Sequence, residues 1–442
     1  MEPERALGQY EVTESGLART TASAPEYTSG PHRTASADWL ELDVGNRAPL
    51  FVPGDASRLD LTSYHFGRTG AAFPSTRTPV HVELSGLDWN DGASLQLVTP
   101  NLGLSIHELE THFASPPVGG ATSISGETID WARAGAPLLD SSQGDVTWLA
   151  QMTTTRRELG GYYSVLTHAG VARGLTQVDG ATATLAAKLA PVALDHTLDL
   201  RWRGTAYAAL AAEAGPYTRA AAGPTLSLHT LPDAIAHNNA YHASLYQYLP
   251  SLVDFGPMDG RADFAQTIHY GNPFSTPANK WSEMVTMVYS MPVVIPHVGS
   301  MNAMLVQAVP VDAAARSVEL APAISPVRDV AINGASLAEP RTGVGRTPVI
   351  TWSAPSLGTA TTYSIEVEAI VRSGPGFMLR PVGTFMTNTT SLTLPAIDAT
   401  SATSYVLTIS AIATGDRDLA TTPFLGTLPF ASADYVTAQI TP

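Results

Sequence analysis

The most regular hydrophobic pattern in this chain is alternation of apolar with polar residues, which is typical of β-strands that bury one face. Apolar residues occupy every second position through 80–85 and again around 94–97. Between these segments lies Trp89-Asn90-Asp91-Gly92, whose Asn, Asp and Gly accept positive φ at low cost. The pattern predicts an antiparallel hairpin formed by the two segments.

The same kind of pattern recurs along the rest of the chain. An Ala-rich stretch at Tyr207–Ala214, ended by Gly215 and Pro216, predicts a short helix. The tripeptides at 59–61 and 198–200 are both Leu-Asp-Leu, too short a match to indicate duplication. The sequence predicts a mainly β fold of tandem antiparallel sandwiches, with further strands at 146–152, 162–167, 181–189, 198–202, 225–229, 283–289 and 304–309.

The clearest strand signals lie in the C-terminal part of the chain. They are the segments Val349–Trp352, Tyr363–Val367, Thr390–Pro395 and Ser404–Ala411. Through these segments, residues 323–442 resemble a fibronectin type III domain. The resemblance implies an antiparallel sandwich with Trp352 and Tyr405 in or beside its core. It also implies a spacer or adhesive module of an extracellular protein.

Composition shifts divide the chain into four segments. Residues 1–37, rich in Ser, Thr, Ala, Gly and Pro, predict a flexible stalk. Residues 38–190 and 191–322 predict two β-rich domains, the second with the short helix, and residues 323–442 the fibronectin-like domain. Since no apolar stretch follows Met1, we predict no secretory signal within this sequence. We expect a bacterial exported chain of the extracellular space or cell envelope whose signal is missing from this sequence; a cytoplasmic protein with a loose N-terminus is the alternative.

Charge and cysteine content exclude several classes of partner. The net charge is −15, and no cluster of Lys and Arg is present, so we predict no nucleic-acid binding. We expect no membrane-spanning helix, which would need roughly 20 consecutive, predominantly apolar residues in a helical pattern. The chain has no cysteine, which excludes disulfides and thiolate chemistry but fits either compartment. We predict no cofactor and no membrane span; the oligomeric state stays open.

The segment His107–His112 resembles a zinc-protease motif but places its two histidines five residues apart. On a helix they would lie about 140° apart, and on a strand they would lie on opposite faces, so we predict no metal site. His237 and His242 have the same spacing. Glu108 and Glu110 are a candidate carboxylate pair for glycoside hydrolysis, although paired exposed acids are the simpler interpretation. We assign no catalytic residue.

Aromatic, His and Asn residues are densest between 237 and 281. Such side chains form sugar or protein contact surfaces, because rings stack and amides donate hydrogen bonds. Packing in a sandwich core is the alternative. The sequence predicts a ligand-binding surface formed by Tyr241, Tyr246, Tyr248 and Trp281.

Three functions remain after these exclusions. We expect a surface or extracellular binding or adhesion module whose partner is a glycan or a protein. The alternatives are a carbohydrate- or peptide-active hydrolase with an accessory fibronectin-like domain, and a structural subunit of an extracellular assembly.

Overall fold

The structure is a computed structural model. It describes residues 4–5, 9–13, 16–19, 39–42, 49–53, 58–60, 64–65, 71–102, 104–156, 161–172, 174–219, 223–232, 249–256, 260–276, 280–312, 314–374, 376–395, 404–415, 419 and 427–442.

The described residues form mainly β-strands, which confirms that the chain is mainly β. Those before residue 190 are β1 Glu4–Arg5, β2 Gln9–Thr13, β3 Gly16–Arg19, β4 Trp39–Leu42, β5 Leu50–Pro53, β6 Arg58–Asp60, β7 Tyr64–His65, β8 Pro79–Ser85, β9 Ser94–Thr99, β10 Leu104–Ile106, β11 Ser123–Asp130, β12 Thr147–Arg156, β13 Tyr162–Ala172 and β14 Ala183–Lys188.

Later strands, in chain order, are β15 Ala190–Pro191, β16 His196–Trp202, β17 Pro224–Pro232, β18 Ser251–Phe255, β19 Phe264–Tyr270, β20 Trp281–Ile295, β21 Gly299–Pro310, β22 Ser317–Leu320, β23 Arg328–Ile332, β24 Ala335–Ser336, β25 Arg341–Thr342, β26 Val349–Ser353, β27 Thr362–Ser373, β28 Gly376–Thr387, β29 Ser391–Thr393, β30 Ser404–Gly415, β31 Thr427–Val436 and β32 Ile440–Thr441. The helices are α1 Gly204–Leu210 and the 3₁₀ turns Pro100–Leu102, Leu109–His112, Ser141–Gln143 and Ala211–Glu213.

Strands β8 to β14 form a first unit of two sheets. One sheet has the order β11-β8-β14, with β14 parallel to β8. The other has the order β10-β9-β12-β13 and is antiparallel throughout. Val82, Leu97 and Leu149 are fully buried in the apolar cluster that these strands share, so the alternating pattern turns the apolar side of each strand toward one core.

The predicted hairpin of residues 80–97 is wrong, because β8 and β9 belong to the two different sheets of the first unit. Residues 86–93 instead cross from one sheet to the other. In this crossing the backbone N–H groups of Leu87 and Trp89 donate to the carbonyl oxygens of Thr122 and Ala121. Alternation predicted which side of each strand is buried, but it carries no information about which strand becomes the hydrogen-bonded neighbour.

Strands β16 to β22 form a second unit that repeats the pairing of the first. Its smaller sheet has the order β19-β16-β22, with β22 parallel to β16. Its other strands have the order β18-β17-β20-β21, antiparallel throughout. Each strand from β16 to β22 therefore takes the place of its counterpart from β8 to β14, and the two units have the same topology.

The predicted helix is confirmed as α1 followed by a 3₁₀ turn, beginning at Gly204. Trp202 and Tyr207 stack at 4.5 Å between ring centroids and are buried beneath it. Gly204 is required at the start of the helix, since a Cβ there would lie 2.5 Å from the carbonyl oxygen of Gly260.

Strands β23 to β32 form a third unit. One sheet has the order β24-β23-β26-β29, and the facing strands have the order β28-β27-β30-β31. Trp352 and Tyr405 are both buried, as predicted, with 5% and 2% of their surfaces exposed. The ring of Trp352 meets that of Tyr363 edge to face at 5.3 Å between centroids.

The larger sheets of the three units join edge to edge. Strand β13 pairs with β18 between the first and second units, and β21 pairs with β31 between the second and third. The sequence division at 38–190 placed residues 39–53 in the first β-rich domain. In the structure β5 pairs with β28 of the third unit, and Phe51 stacks on Phe385 at 4.3 Å.

Asp434 lies at the β21–β31 junction with 6% of its surface exposed. Its carboxylate accepts hydrogen bonds from the Ser410 hydroxyl at 2.7 Å and from the Met304 N–H at 3.0 Å. Burial nevertheless raises the pKa of Asp434 to about 6, because these bonds only partly replace water around the charge.

A carboxyl group whose pKa is higher in the folded state favours folding when it is protonated. The contribution of protonated Asp434 to the free energy of unfolding is therefore fully present below about pH 4. It is lost as the pH rises through about 6, which lowers the free energy of unfolding by about 3 kcal/mol. We expect Asp434→Asn, which can keep both hydrogen bonds after an amide flip, to gain stability relative to the wild type as the pH rises from 4 to 7. Chemical denaturation at several pH values measures this gain, and a difference that does not change with pH would contradict it.

Candidate functional site

A cleft of about 790 Å³ lies where the first and second units meet; we call it the junction cleft. Residues of both units line it, contributed by β9, β12, β13, β17, β18 and the 3₁₀ turn after β10. Its lining residues are Gly92, Ala93, Ser94, Leu95, Gln96, His107, Glu108, Glu110, Thr111, Met152, Thr154, Tyr162, Ser164, Thr225, Ser227, Asp254, Phe255 and Gly256.

A row of polar residues crosses four strands at the floor of the junction cleft. Ser164 lies opposite Thr154 on one side and opposite Asp254 on the other, and Asp254 lies opposite Ser227. The hydroxyls of Thr154 and Ser164 are 2.9 Å apart. Since paired residues share a face of the sheet, the β13–β18 junction aligns polar side chains of both units in one row.

Gln96 ties the two units together beside this row. Its Nε2 donates to the Ser251 carbonyl oxygen at 2.6 Å, and its Oε1 accepts from the Ser251 N–H at 3.1 Å. Gln96 and Ser251 are both buried, so this reciprocal pair satisfies polar groups that would otherwise be costly inside the protein. The pair therefore holds β9 in place relative to β18.

The segment His107–Thr111 forms a wall of the junction cleft. Glu108 has φ 53°, the left-handed conformation, at the start of the 3₁₀ turn. The Leu95 N–H donates to Glu110 Oε2 at 2.8 Å. Burial raises the pKa of Glu110 despite this bond, and the nearby Glu108 carboxylate raises it further.

His229 is buried next to the cleft, 3.4 Å from the Ser251 hydroxyl through Nδ1. Burial lowers its pKa to about 4, against the opposing influence of Asp254. The ring is therefore uncharged at neutral pH and adds no positive charge beside the carboxyl groups of the junction cleft.

Tyr162 stands at the rim of the junction cleft with 43% of its surface exposed. Its ring packs on the backbone of Gly256, where any Cβ would collide with the ring. The Gly256 N–H donates to the Tyr162 carbonyl oxygen at 3.0 Å, which holds the two backbones together. Glycine at 256 therefore lets the aromatic ring lie flat at the rim.

A second polar cluster centres on Glu283 in the second unit. Glu283 accepts from Arg316 Nη1 at 2.7 Å and from the Tyr270 hydroxyl at 2.5 Å. His196 Nδ1 lies 3.0 Å from the other carboxylate oxygen, and Asn272 Nδ2 donates to that oxygen at 3.2 Å. Burial, with the Glu283 carboxylate, raises the pKa of Tyr270, so its hydroxyl stays protonated and donates. The cluster satisfies its own members, and we interpret it as a structural link between β16, β19 and β20.

Trp281, one of the four residues predicted to bind ligand, is 6% exposed. Its ring packs against Phe274 at 5.8 Å, so it belongs to the core and offers no contact surface. Tyr241, Tyr246 and Tyr248 lie outside the described residues, as do His237 and His242. The nearby Asn272 likewise belongs to the Glu283 cluster.

Of the other residues considered from sequence, His107, Glu108 and Glu110 do reach the junction cleft. Across the part of the chain that the structure describes, no group of three or more His, Asp or Glu side chains could hold a metal ion. Glu366 is exposed on β27, whereas Glu368 is half-buried. Burial and the Glu366 charge raise the pKa of Glu368 to about 7.

Sequence reasoning missed Ser227, Asp254, Tyr162 and Ser164 as members of one site. These residues are up to 92 positions apart and carry no motif; only the pairing of β13 with β18 and of β18 with β17 brings them together. The one available signal was the alternation in β17, which places Ser227 between Leu226 and Leu228.

No helix within the described ranges is long and apolar enough to cross a membrane. Comparison of the chain with models of known protein families and with curated protein sequences found no match.

Proposed function

We propose that this chain is an exported, non-catalytic binding or adhesion protein of the extracellular space or cell envelope, and that its ligand binds in the junction cleft. The observation that carries the proposal is the junction cleft itself, because two units contribute a polar floor, an acidic wall and an exposed ring to one concavity. Ligand sites are typically clefts of about 300–1,000 Å³ with a few convergent polar groups, often at domain interfaces.

The third unit supports the extracellular part of the proposal. Its facing sheets and its buried Trp352 and Tyr405 are what a fibronectin type III domain would have, and such domains serve as spacers or adhesive modules. On this proposal the third unit positions the first two units, which bind the ligand.

The test is a thermal-shift screen of the full chain against soluble glycans, peptides and small cations. We expect at least one compound class to raise the melting temperature, because a ligand that binds only the folded state stabilises it. Thr225→Trp, which fills the junction cleft from an exposed position on β17, should abolish that shift. The matched control is Thr184→Trp, at an exposed position on β14 away from the cleft lining. Shifts that survive Thr225→Trp would place the site elsewhere.

A hydrolase acting on carbohydrate or peptide is the second candidate, favoured by one observation. Glu110, whose pKa burial raises, shares the junction cleft with the carboxyl group of Asp254, and such unlike acid pairs occur in active sites. Release of reducing sugar or of new amino termini by the wild type, abolished by Glu110→Gln, would establish this candidate in place of the first.

A further inference from the structure

The charge of the junction cleft restricts what it can bind. Among the described residues, the acidic and histidine side chains that line it are Glu108, Glu110, Asp254 and His107, and none of the described lining residues is Lys or Arg. A concave surface lined by one sign of charge focuses the electrostatic field and raises the local concentration of the opposite charge. Building on the function proposed above, we infer that the ligand of the junction cleft is an organic cation that carries an amine or guanidinium group.

The floor offers hydrogen-bond acceptors for such a cation. Ser227 is 9% exposed and lines the junction cleft, so its hydroxyl is an acceptor within reach of a bound ligand. Asp254 is its cross-strand neighbour, so the hydroxyl and the carboxylate lie side by side. A serine hydroxyl has two lone pairs and can therefore accept a hydrogen bond from a ligand N–H.

The wall carries a second acceptor. Glu110 accepts one backbone N–H, from Leu95, and faces a second carboxylate on Glu108 instead of a cation. A bound ammonium or guanidinium would stabilise the ionised form of Glu110, which burial disfavours. Charge-assisted hydrogen bonds of this type are shorter and stronger than neutral ones.

The exposed Tyr162 ring at the rim of the junction cleft can also contact an organic cation. A cation near the face of a tyrosine ring is attracted by the ring quadrupole. Because Tyr162 packs on Gly256, its ring is already held in place and loses little conformational freedom on binding. With about 790 Å³, the junction cleft has room for the alkyl chain of a polyamine or for Lys or Arg side chains of a peptide.

Isothermal titration calorimetry of the full chain tests the inference with three probes: spermidine, a short peptide containing Lys and Arg, and a neutral oligosaccharide. We expect one of the cationic probes to bind, and which one binds distinguishes a free polyamine from a protein ligand. Raising the salt concentration should weaken this binding, since exposed charges are screened.

Two variants, each of which removes one negative charge, test whether the cationic probe binds in the junction cleft. Asp254→Asn and Glu110→Gln keep side-chain size, and each should weaken binding by at least about tenfold. The matched control is Asp199→Asn, which removes one negative charge from β16 outside the junction cleft and should leave the affinity unchanged. Melting temperatures of all variants check that the fold is retained. Ser227→Ala, a smaller change, should weaken binding without altering the net charge.

Failure of this inference and failure of the proposed function give different results. If the neutral oligosaccharide binds, Thr225→Trp abolishes that binding, and neither cation binds, then the ligand class is wrong and the junction cleft remains the site. The cationic probes could also bind with an affinity that Asp199→Asn lowers as much as Asp254→Asn does. The binding would then be nonspecific attraction to an acidic protein, and the inference would be overturned. If no probe binds in a way that depends on the cleft residues, both proposals fail.

Discussion

Replacing Trp352 with alanine is expected to lower the free energy of unfolding of the third unit by about 3–5 kcal/mol, the range for large aromatic residues in a core. Trp352 is 5% exposed and meets Tyr363 edge to face, so its removal leaves a cavity between the two sheets and loses a ring contact. Guanidinium denaturation followed by circular dichroism measures the change.

Phe377→Ala is the matched control, because Phe377 is an aromatic residue of the same unit that is 38% exposed on β28. Surface substitutions of this type change stability by about 0.5 kcal/mol or less. Equal effects of the two substitutions would show that Trp352 does not contribute to the core as its burial indicates.

Replacing Arg316 with methionine is expected to destabilise the second unit by about 2–4 kcal/mol. Glu283, with 9% of its side chain exposed, would lose its cation, and breaking a buried ion pair costs about 3–5 kcal/mol. We expect a smaller destabilisation than for a fully buried ion pair, because 29% of the Arg316 side chain is exposed. In addition, His196 and Tyr270 still contact the Glu283 carboxylate.

The pair Arg203–Glu319 provides the matched control in the same unit. Its atoms are 2.6 Å apart, closer than those of Arg316 and Glu283, but both side chains are more than 40% exposed. Arg203→Met should therefore destabilise the protein much less than Arg316→Met does. The double variant Glu283→Gln/Arg316→Met should recover part of the loss, because no charge is then left buried. A single-variant effect as small as that of Arg203→Met would contradict a structural role for the Glu283 cluster.

The dense aromatic and amide residues in the sequence did not identify the candidate site, the junction cleft. Tyr270 to Trp281 looked like a contact surface because aromatic and amide side chains are dense there. In the structure Tyr270 and Asn272 hold Glu283, and Trp281 packs on Phe274. Composition cannot separate these outcomes, since the same side chains fill cores and bind ligands.

The sequence by itself determined the local structure of the chain. Period-two patterns predicted strands such as β16, and the Ala-rich stretch before Gly215 predicted the helix, because burial of one face imposes a repeat that depends only on local geometry. The same patterns predicted a mainly β fold, and the resemblance of residues 323–442 to a fibronectin type III domain implied that Trp352 and Tyr405 are buried.

Only the tertiary structure decided which strands are neighbours. Pairing of β8 with β11 and of β9 with β12, not of β8 with β9, depends on contacts between residues far apart in the chain. The same long-range pairing gave the first two units one topology. It also placed Ser227 beside Asp254 and Asp254 beside Ser164 in the junction cleft. The physical reason is that a hydrophobic pattern specifies a buried face, while the register between strands is set by the packing of the whole sheet, and in this chain the register builds the candidate site.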